Sequence, residues 1–361
     1  MQLFTPIEYM QIEIANLHGI DKCNYEDRLE WFNTLFDPAD IPRCESPNQA
    51  RVAYQEYQRI LRGLPSNYCI SLDATASVLQ IIAVIMNCRK TAQQSNVIGH
   101  TRNDPYTSIH MATGLTGVSR KDCKRAIMTY CYSSHKVPKE VYGDSIDTFI
   151  NAMIQEVPSA INYLELTQSL WNSDKTYHSW TLPDNFNVVL PSMVTATETV
   201  YVLGEPITVQ YEVLGTKKHS KELSANAIHS IDSLIVREMV ARCGHGLLHT
   251  RVDKELETKL DKLAEKTGFK SARLLYLNPD RKNEFVLPEP SFHIISVHDC
   301  FKCNHLYGNE LRQTYNQILF ELANSDILGS IVSDLTRTKM TFDKTDTEWF
   351  SEILDADYSL T

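Results

Sequence analysis

Ser296-Val297-His298-Asp299-Cys300-Phe301 closes a short apolar run, Phe292-His293-Ile294-Ile295-Ser296-Val297, on an acidic side chain. A second run of the same kind, Tyr68-Cys69-Ile70-Ser71-Leu72, ends on Asp73-Ala74-Thr75-Ala76-Ser77. Runs this rich in aromatic and aliphatic residues predict buried strands, each delivering a carboxylate to the rim of a sheet. A strand-end aspartate is more often a turn or N-cap residue, so neither is informative alone. Together, from distant strands, they fit a two-magnesium phosphoryl-transfer site. Carboxylate oxygens are the hard ligands Mg²⁺ prefers, and two such ions sit roughly 3.5–4 Å apart, serving attacking and leaving oxygens.

Between the two acids lies Ser119-Arg120-Lys121-Asp122-Cys123-Lys124-Arg125-Ala126-Ile127-Met128-Thr129-Tyr130-Cys131-Tyr132-Ser133. It has no Pro or Gly, and Ser119 is a good N-cap, so a helix is expected, as one is over 6–15, 25–36, 47–61, 75–88, 221–242, 253–266 and 310–324 and, interrupted by Pro158, over 145–171. On that helix Arg120, Lys124, Met128 and Tyr132 step by four along one slowly turning face. Cations near the positive end of the helix dipole suit a triphosphate, and a tyrosine two turns on suits the base and sugar of the same nucleotide. An amphipathic helix with a solvated basic start and a core tyrosine fits the same spacing equally well.

These three stretches stand in the order of motifs A, B and C of a known family. Asp73 to Gln80, Arg120 to Ser133 and His298-Asp299-Cys300-Phe301 resemble those of the single-subunit DNA-dependent RNA polymerases, the phage and mitochondrial type. Further resemblances are collinear with them: Ile14 to Lys22 upstream of motif A, Trp180-Thr181-Leu182-Pro183-Asp184-Asn185-Phe186, Ser224 to Asp232, and the C-terminal foot Ile353 to Thr361. The chain departs from the family at Ala74, Val78 and Ser133, where glycine is usual, and at Glu45 before Ser46-Pro47, where a basic residue is usual. The family's Asp-x-x-Gly-Arg element, thumb and N-terminal promoter-binding domain have no counterpart.

The resemblance implies an α+β right-hand polymerase: an antiparallel palm sheet with flanking helices and inserted, mostly helical fingers. Residues 1–100 would form the first part of the palm and 101–229 the fingers, with a hairpin at 199–214 like the family's specificity loop. Residues 230–361 would form the second part of the palm and the foot. It implies template-directed nucleotidyl transfer with two Mg²⁺ held by Asp73, Asp299 and the Ala74 backbone carbonyl. Lys124, Arg120 and Arg125 would meet the triphosphate, with Met128 beside the nucleotide. Tyr132, with His229, would select ribose, and His298 would orient the RNA end. Expected partners are DNA template, RNA transcript, NTPs, a second polymerase subunit supplying the missing elements, and an accessory single-stranded-DNA-binding factor. The expected setting is the cytoplasm of an infected bacterial host. A template-dependent DNA polymerase of the related fold and a non-catalytic polymerase-like subunit are the rival readings.

Composition agrees with an ordinary globular chain. Its 361 residues suffice for substantial cores, and no apolar run approaches the ~20 residues of a membrane span. Nine scattered cysteines indicate free thiols and a reducing compartment. The net charge of −10 opposes a strong grip on phosphates, so DNA binding by the chain alone is expected to be weak. Cys300-x-x-Cys303 resembles half a zinc site without a second pair, and Cys243-Gly244-His245 with His249 reads as a helix-end turn. No P-loop, Gly-x-Ser-x-Gly elbow or His-Glu-x-x-His is present.

Overall fold

The computed structural model describes residues 1–219, 221–248 and 252–361, so His249 lies outside the described residues. The N-terminal part comprises α1 (Pro6–Leu17), α2 (Tyr25–Thr34), α3 (Pro47–Leu61), β1 (Cys69–Asp73), α4 (Ser77–Ile85) and α5 (Arg89–Gln94). A helical stretch follows: α6 (Pro105–Thr113), α7 (Arg120–Cys131), α8 (Lys136–Tyr142), α9 (Ile146–Glu156) and α10 (Pro158–Ser169). Two hairpins come next, β2 (Tyr177–Thr181) with β3 (Asn187–Pro191) and β4 (Met193–Val202) with β5 (Glu205–Leu214). The remainder is α11 (Glu222–Cys243), α12 (Lys254–Thr267), α13 (Leu274–Leu277), β6 (Ile294–Val297), β7 (Cys300–Asn304), α14 (Gly308–Asn324) and α15 (Ile327–Thr336). The class is α+β, with small antiparallel sheets among many helices.

The central sheet has the order β1-β7-β6, so β7 lies between the two acid-bearing runs and pairs antiparallel with both, although more than 200 residues separate it from β1. Its register pairs Leu72 with Phe301 and Asp73 with Cys300. Beyond β7, the outer edge of β1 is covered twice. The C-terminus adds a short antiparallel bridge, with Asp73 N donating to Thr361 O at 3.0 Å and Thr361 N to Asp73 O at 2.9 Å. Further along, the buried Glu13 carboxylate of α1 accepts from Ser71 N at 3.0 Å. Covering an edge in this way removes a row of unpaired backbone groups.

Behind the sheet runs α4, buried on every side from Val78 to Ile85, because Val-Leu-Gln-Ile-Ile-Ala-Val-Ile leaves it no polar face. Its single polar member, Gln80, is fully used: Nε2 donates to Thr75, Ser95 and Ser359, and Oε1 accepts from Tyr315 at 2.8 Å. α11 and α14 pack on the same core, which draws on residues from Phe4 to Leu360. Buried Arg312 of α14 ties Gln2 and Asp357 together through their carbonyls, fastening both ends of the chain to one helix.

Most expected elements appear near their expected bounds; two differ. The helix expected over 75–88 spans only Ser77–Ile85, because residues 73–75 are drawn into extended pairing with 359–361. The 145–171 segment is divided at Pro158 as expected, into α9 and α10. The hairpin expected at 199–214 begins at Met193, and its turn is only Leu203-Gly204, both at positive φ, so Glu205 and Pro206 are paired.

Candidate functional site: an acidic cleft

Asp73 leaves the end of β1 and Asp299 sits in the two-residue turn between β6 and β7. That turn is tight because His298 takes φ +56°, a left-handed conformation usually given to glycine. Ala74 N donates to Asp299 O at 3.2 Å, which locks the two acid-bearing segments side by side. Asp73 is open to solvent, yet surrounding protein and then the Asp299 charge push it up to about 6, with Lys124 pulling the other way. No backbone hydrogen bond among the described residues ends on the Ala74 carbonyl.

A third acid, not singled out from the sequence, joins them. Asp232 of α11 is partly buried; burial first, and the Asp299 charge second, push it up to about 6, while His298 opposes the shift. The signal was present in His229-Ser230-Ile231-Asp232: an acid one turn beyond an exposed histidine faces the same way on a helix. Beneath the acids lies buried Tyr315, whose hydroxyl is held to Gln80 and is kept protonated by burial and by the charges of Asp232, Asp299 and Asp73.

The opposite wall is α7. Ser119 caps it as expected, its Oγ accepting from Asp122 N at 3.1 Å and donating to Asp122 Oδ2 at 2.7 Å. Lys124 is exposed, lies 4.9 Å from the centre of the Tyr106 ring, and is the cation that acts on Asp73. Met128 sits beneath, its sulfur accepting from Tyr106 Oη at 3.2 Å. Tyr132 is the residue that ends the helix rather than part of it, and its ring lies 4.8 Å from that of His229. Burial lowers the His229 pKa, favouring a neutral ring, and raises Tyr132 to about 12.

Ser133 explains how Tyr132 is aimed. It holds φ +61°, buried, and its Oγ donates at 2.9 Å to Ser224 Oγ near the start of α11. Ser224 also bonds Thr167, and its carbonyl accepts from Tyr163, so the end of α7 and the start of α11 share one polar latch.

Two expected cations are not brought to the acids. Arg120 is committed to the start of α6, its Nε donating to Asp104 at 2.9 Å and to Thr107 at 2.7 Å. Burial alone would raise Asp104; its bonds to Thr107 and Arg120 outweigh that and hold it below the ordinary range. Arg125 lies exposed on the neighbouring flank of α7, with Asp122 at 3.8 Å.

Asp73, Asp299 and the Ala74 carbonyl are all oxygen donors, a set suited to Mg²⁺. Among the described residues no group of three or more His, Cys, Asp or Glu side chains forms a closed metal cage. A divalent ion there would have few protein ligands, with water completing its shell. All nine cysteines are unpaired, and Cys300 and Cys303, three apart on a strand, face opposite sides and cannot share an ion. No helix among the described residues is long and apolar enough to cross a membrane. In comparisons with known proteins, the chain matches no protein-family model and no curated protein.

Proposed function

We propose that this chain is the catalytic subunit of a template-directed RNA polymerase of the single-subunit type, transferring nucleotidyl groups from NTPs to an RNA 3′-hydroxyl. In this reading the β1-β7-β6 sheet with α4, α11 and α14 is the palm, and the α6–α10 region is the fingers. The observation that carries it is Asp73, at the end of β1, beside the β6–β7 turn that holds Asp299, with Lys124 acting on Asp73 from α7.

Asp73 and Asp232, crowded carboxylates whose pKa is raised, are poised to take up positive charge. Bound Mg²⁺ would supply charge neutralisation at the attacking and leaving oxygens, held by Asp73, Asp299 and the Ala74 carbonyl. Lys124 would meet the triphosphate as a pre-placed cation. Arg120 reaches it only by leaving Asp104. Tyr132 and neutral His229 form a paired aromatic and hydrogen-bonding wall suited to a ribose with its 2′-hydroxyl. His298 borders the acids on the turn, where it would orient the RNA end. The Asp-x-x-Gly-Arg and thumb elements come, in this reading, from a second polypeptide, alongside template DNA and an accessory single-stranded-DNA-binding factor.

The test is primer extension on a single-stranded template by the chain co-purified with its companion polypeptide, comparing rNTPs with dNTPs. Asp73→Asn and Asp299→Asn are expected to lower rNTP incorporation by at least about 10²–10³-fold, the scale of removing a pre-placed electrostatic group, with melting curves still cooperative. Near-normal elongation by either variant, or a preference for dNTPs, overturns the reading.

A further inference from the structure

The β4–β5 ribbon has one mainly apolar face and one whose middle is polar, and none of the described residues covers the apolar one. Directly paired residues share a face in an antiparallel ribbon. The register places Val200 opposite Ile207, Val202 opposite Glu205, Glu198 opposite Val209 and Ala196 opposite Tyr211, giving one face of Val, Ile and Tyr with two glutamates. The other face pairs Thr199 with Thr208, Thr197 with Gln210 and Thr195 with Glu212 along its middle, with Tyr201 opposite Pro206 near the tip and Met193 opposite Leu214 at the base. Such alternation is the pattern of a sheet with one face against a core and one in water. Yet Val202 is 50 %, Ile207 47 % and Tyr211 45 % exposed, and the tip residue Leu203, at φ +53°, is wholly exposed. Isolated two-stranded ribbons are marginal in water, and a contiguous exposed apolar patch marks an interaction site.

Charge narrows the occupant. From Met193 to Leu214 there is no Lys, Arg or His, and there are three glutamates, Glu198, Glu205 and Glu212. A surface without cations cannot neutralise phosphates, which dominate affinity for nucleic acid. A second copy would set the same glutamates against one another. We propose that this ribbon is a docking arm for a different polypeptide, one presenting an apolar face or groove rimmed by lysine or arginine, and that it does not contact DNA. The inference rests on the ribbon alone and stands whether or not the cleft is a polymerase site. It gives this hairpin, which resembles the family's specificity loop, a polypeptide as its partner.

The experiment uses the full chain and two variants, one with Val202→Ser, Ile207→Ser and Tyr211→Ser, the other with Glu198→Lys and Glu205→Lys. Unchanged melting of the rest of the fold is checked first. The tagged wild-type chain is used to capture companions from its native source; the captured polypeptide is repurified and titrated against all three proteins. Expected is a basic polypeptide whose Kd weakens at least tenfold with the serine variant and at least threefold with the lysine variant, the wild-type Kd weakening as salt rises. A fluorescein-labelled 30-nucleotide single strand and the matching 30-base-pair duplex are titrated in parallel, and their weak affinities are expected to be the same for wild type and the serine variant. Equal binding of the captured polypeptide by all three proteins overturns the proposal. So does a tenfold loss of oligonucleotide affinity in the serine variant, or a wild-type dimer in gel filtration that the serine variant dissolves.

Discussion

Asp73 pays for its place in a cluster of like charge. Its folded pKa of about 6 lies above the ordinary 3.8, so between those values the native chain holds more protons than the unfolded one. Stability from this group is therefore lost as pH rises through that window. Asp73→Asn is expected to raise the melting temperature at pH 7.5, solvent screening keeping the gain to about 1–2 °C, and the gain should vanish near pH 4. A scan showing the variant less stable at pH 7.5 than at pH 4, relative to wild type, contradicts the crowding. Tyr132 carries a different expectation. Tyr132→Phe keeps the ring against His229 but removes the hydroxyl, so rNTP incorporation should persist while discrimination against dNTPs falls, by roughly 10-fold or more for a lost hydrogen bond to substrate. Competition between rNTP and dNTP in single-nucleotide addition reads this directly; unchanged selectivity removes the hydroxyl from the role. Ser133 shows why such aiming was hard to read: serine at positive φ is uncommon, and only its bond to Ser224 reveals why it holds there.

Among the elements, α11 does most to connect the cleft to the core. It carries His229 and Asp232 at one end and, at the other, a buried ionic cluster: Arg242 bonds Glu238 one turn before it and Glu321 of α14. Burial pushes Glu238 up, and Arg242, Ser271 and the Ala272 amide hold its charge against that. Removing one partner strands the others away from water. Arg242→Ala is expected to cost about 3–5 kcal/mol in urea denaturation, and replacing Glu238 and Arg242 together with Gln and Met to cost less. Equal losses from the single and double changes would show that packing, not charge, is what Arg242 supplies. The helix periodicity, the Ser119 cap, the Pro158 break and the strand ending at Asp73 were all legible in the sequence, because each is a local signal. The pairing of β1 with residues 359–361 was not, since bonds between positions nearly three hundred apart leave no local signature.

For the whole molecule, the net charge of −10 and the commitment of Arg120 to Asp104 leave few cations facing the acids. Isolated chain is expected to bind duplex or single-stranded DNA with a Kd no tighter than about 10⁻⁶ M near 150 mM salt, the non-specific range. Fluorescence anisotropy across a salt series checks this, and nanomolar binding by the chain alone would contradict it. Weak intrinsic binding is what a chain that works beside a more basic companion would show.

By itself the sequence determined the α+β class, the bounds of most helices, and a pair of strand-end acids flanking a basic helix, because alternation, helical period and capping act over a few residues. Tertiary structure alone decided that Asp73 lies beside the β6–β7 turn that holds Asp299, that Asp232 joins them, that Arg120 is turned aside by Asp104, and that the β4–β5 ribbon stands uncovered among the described residues. Each of these depends on contacts between distant segments, whose geometry follows from how the core closes rather than from any one stretch of chain.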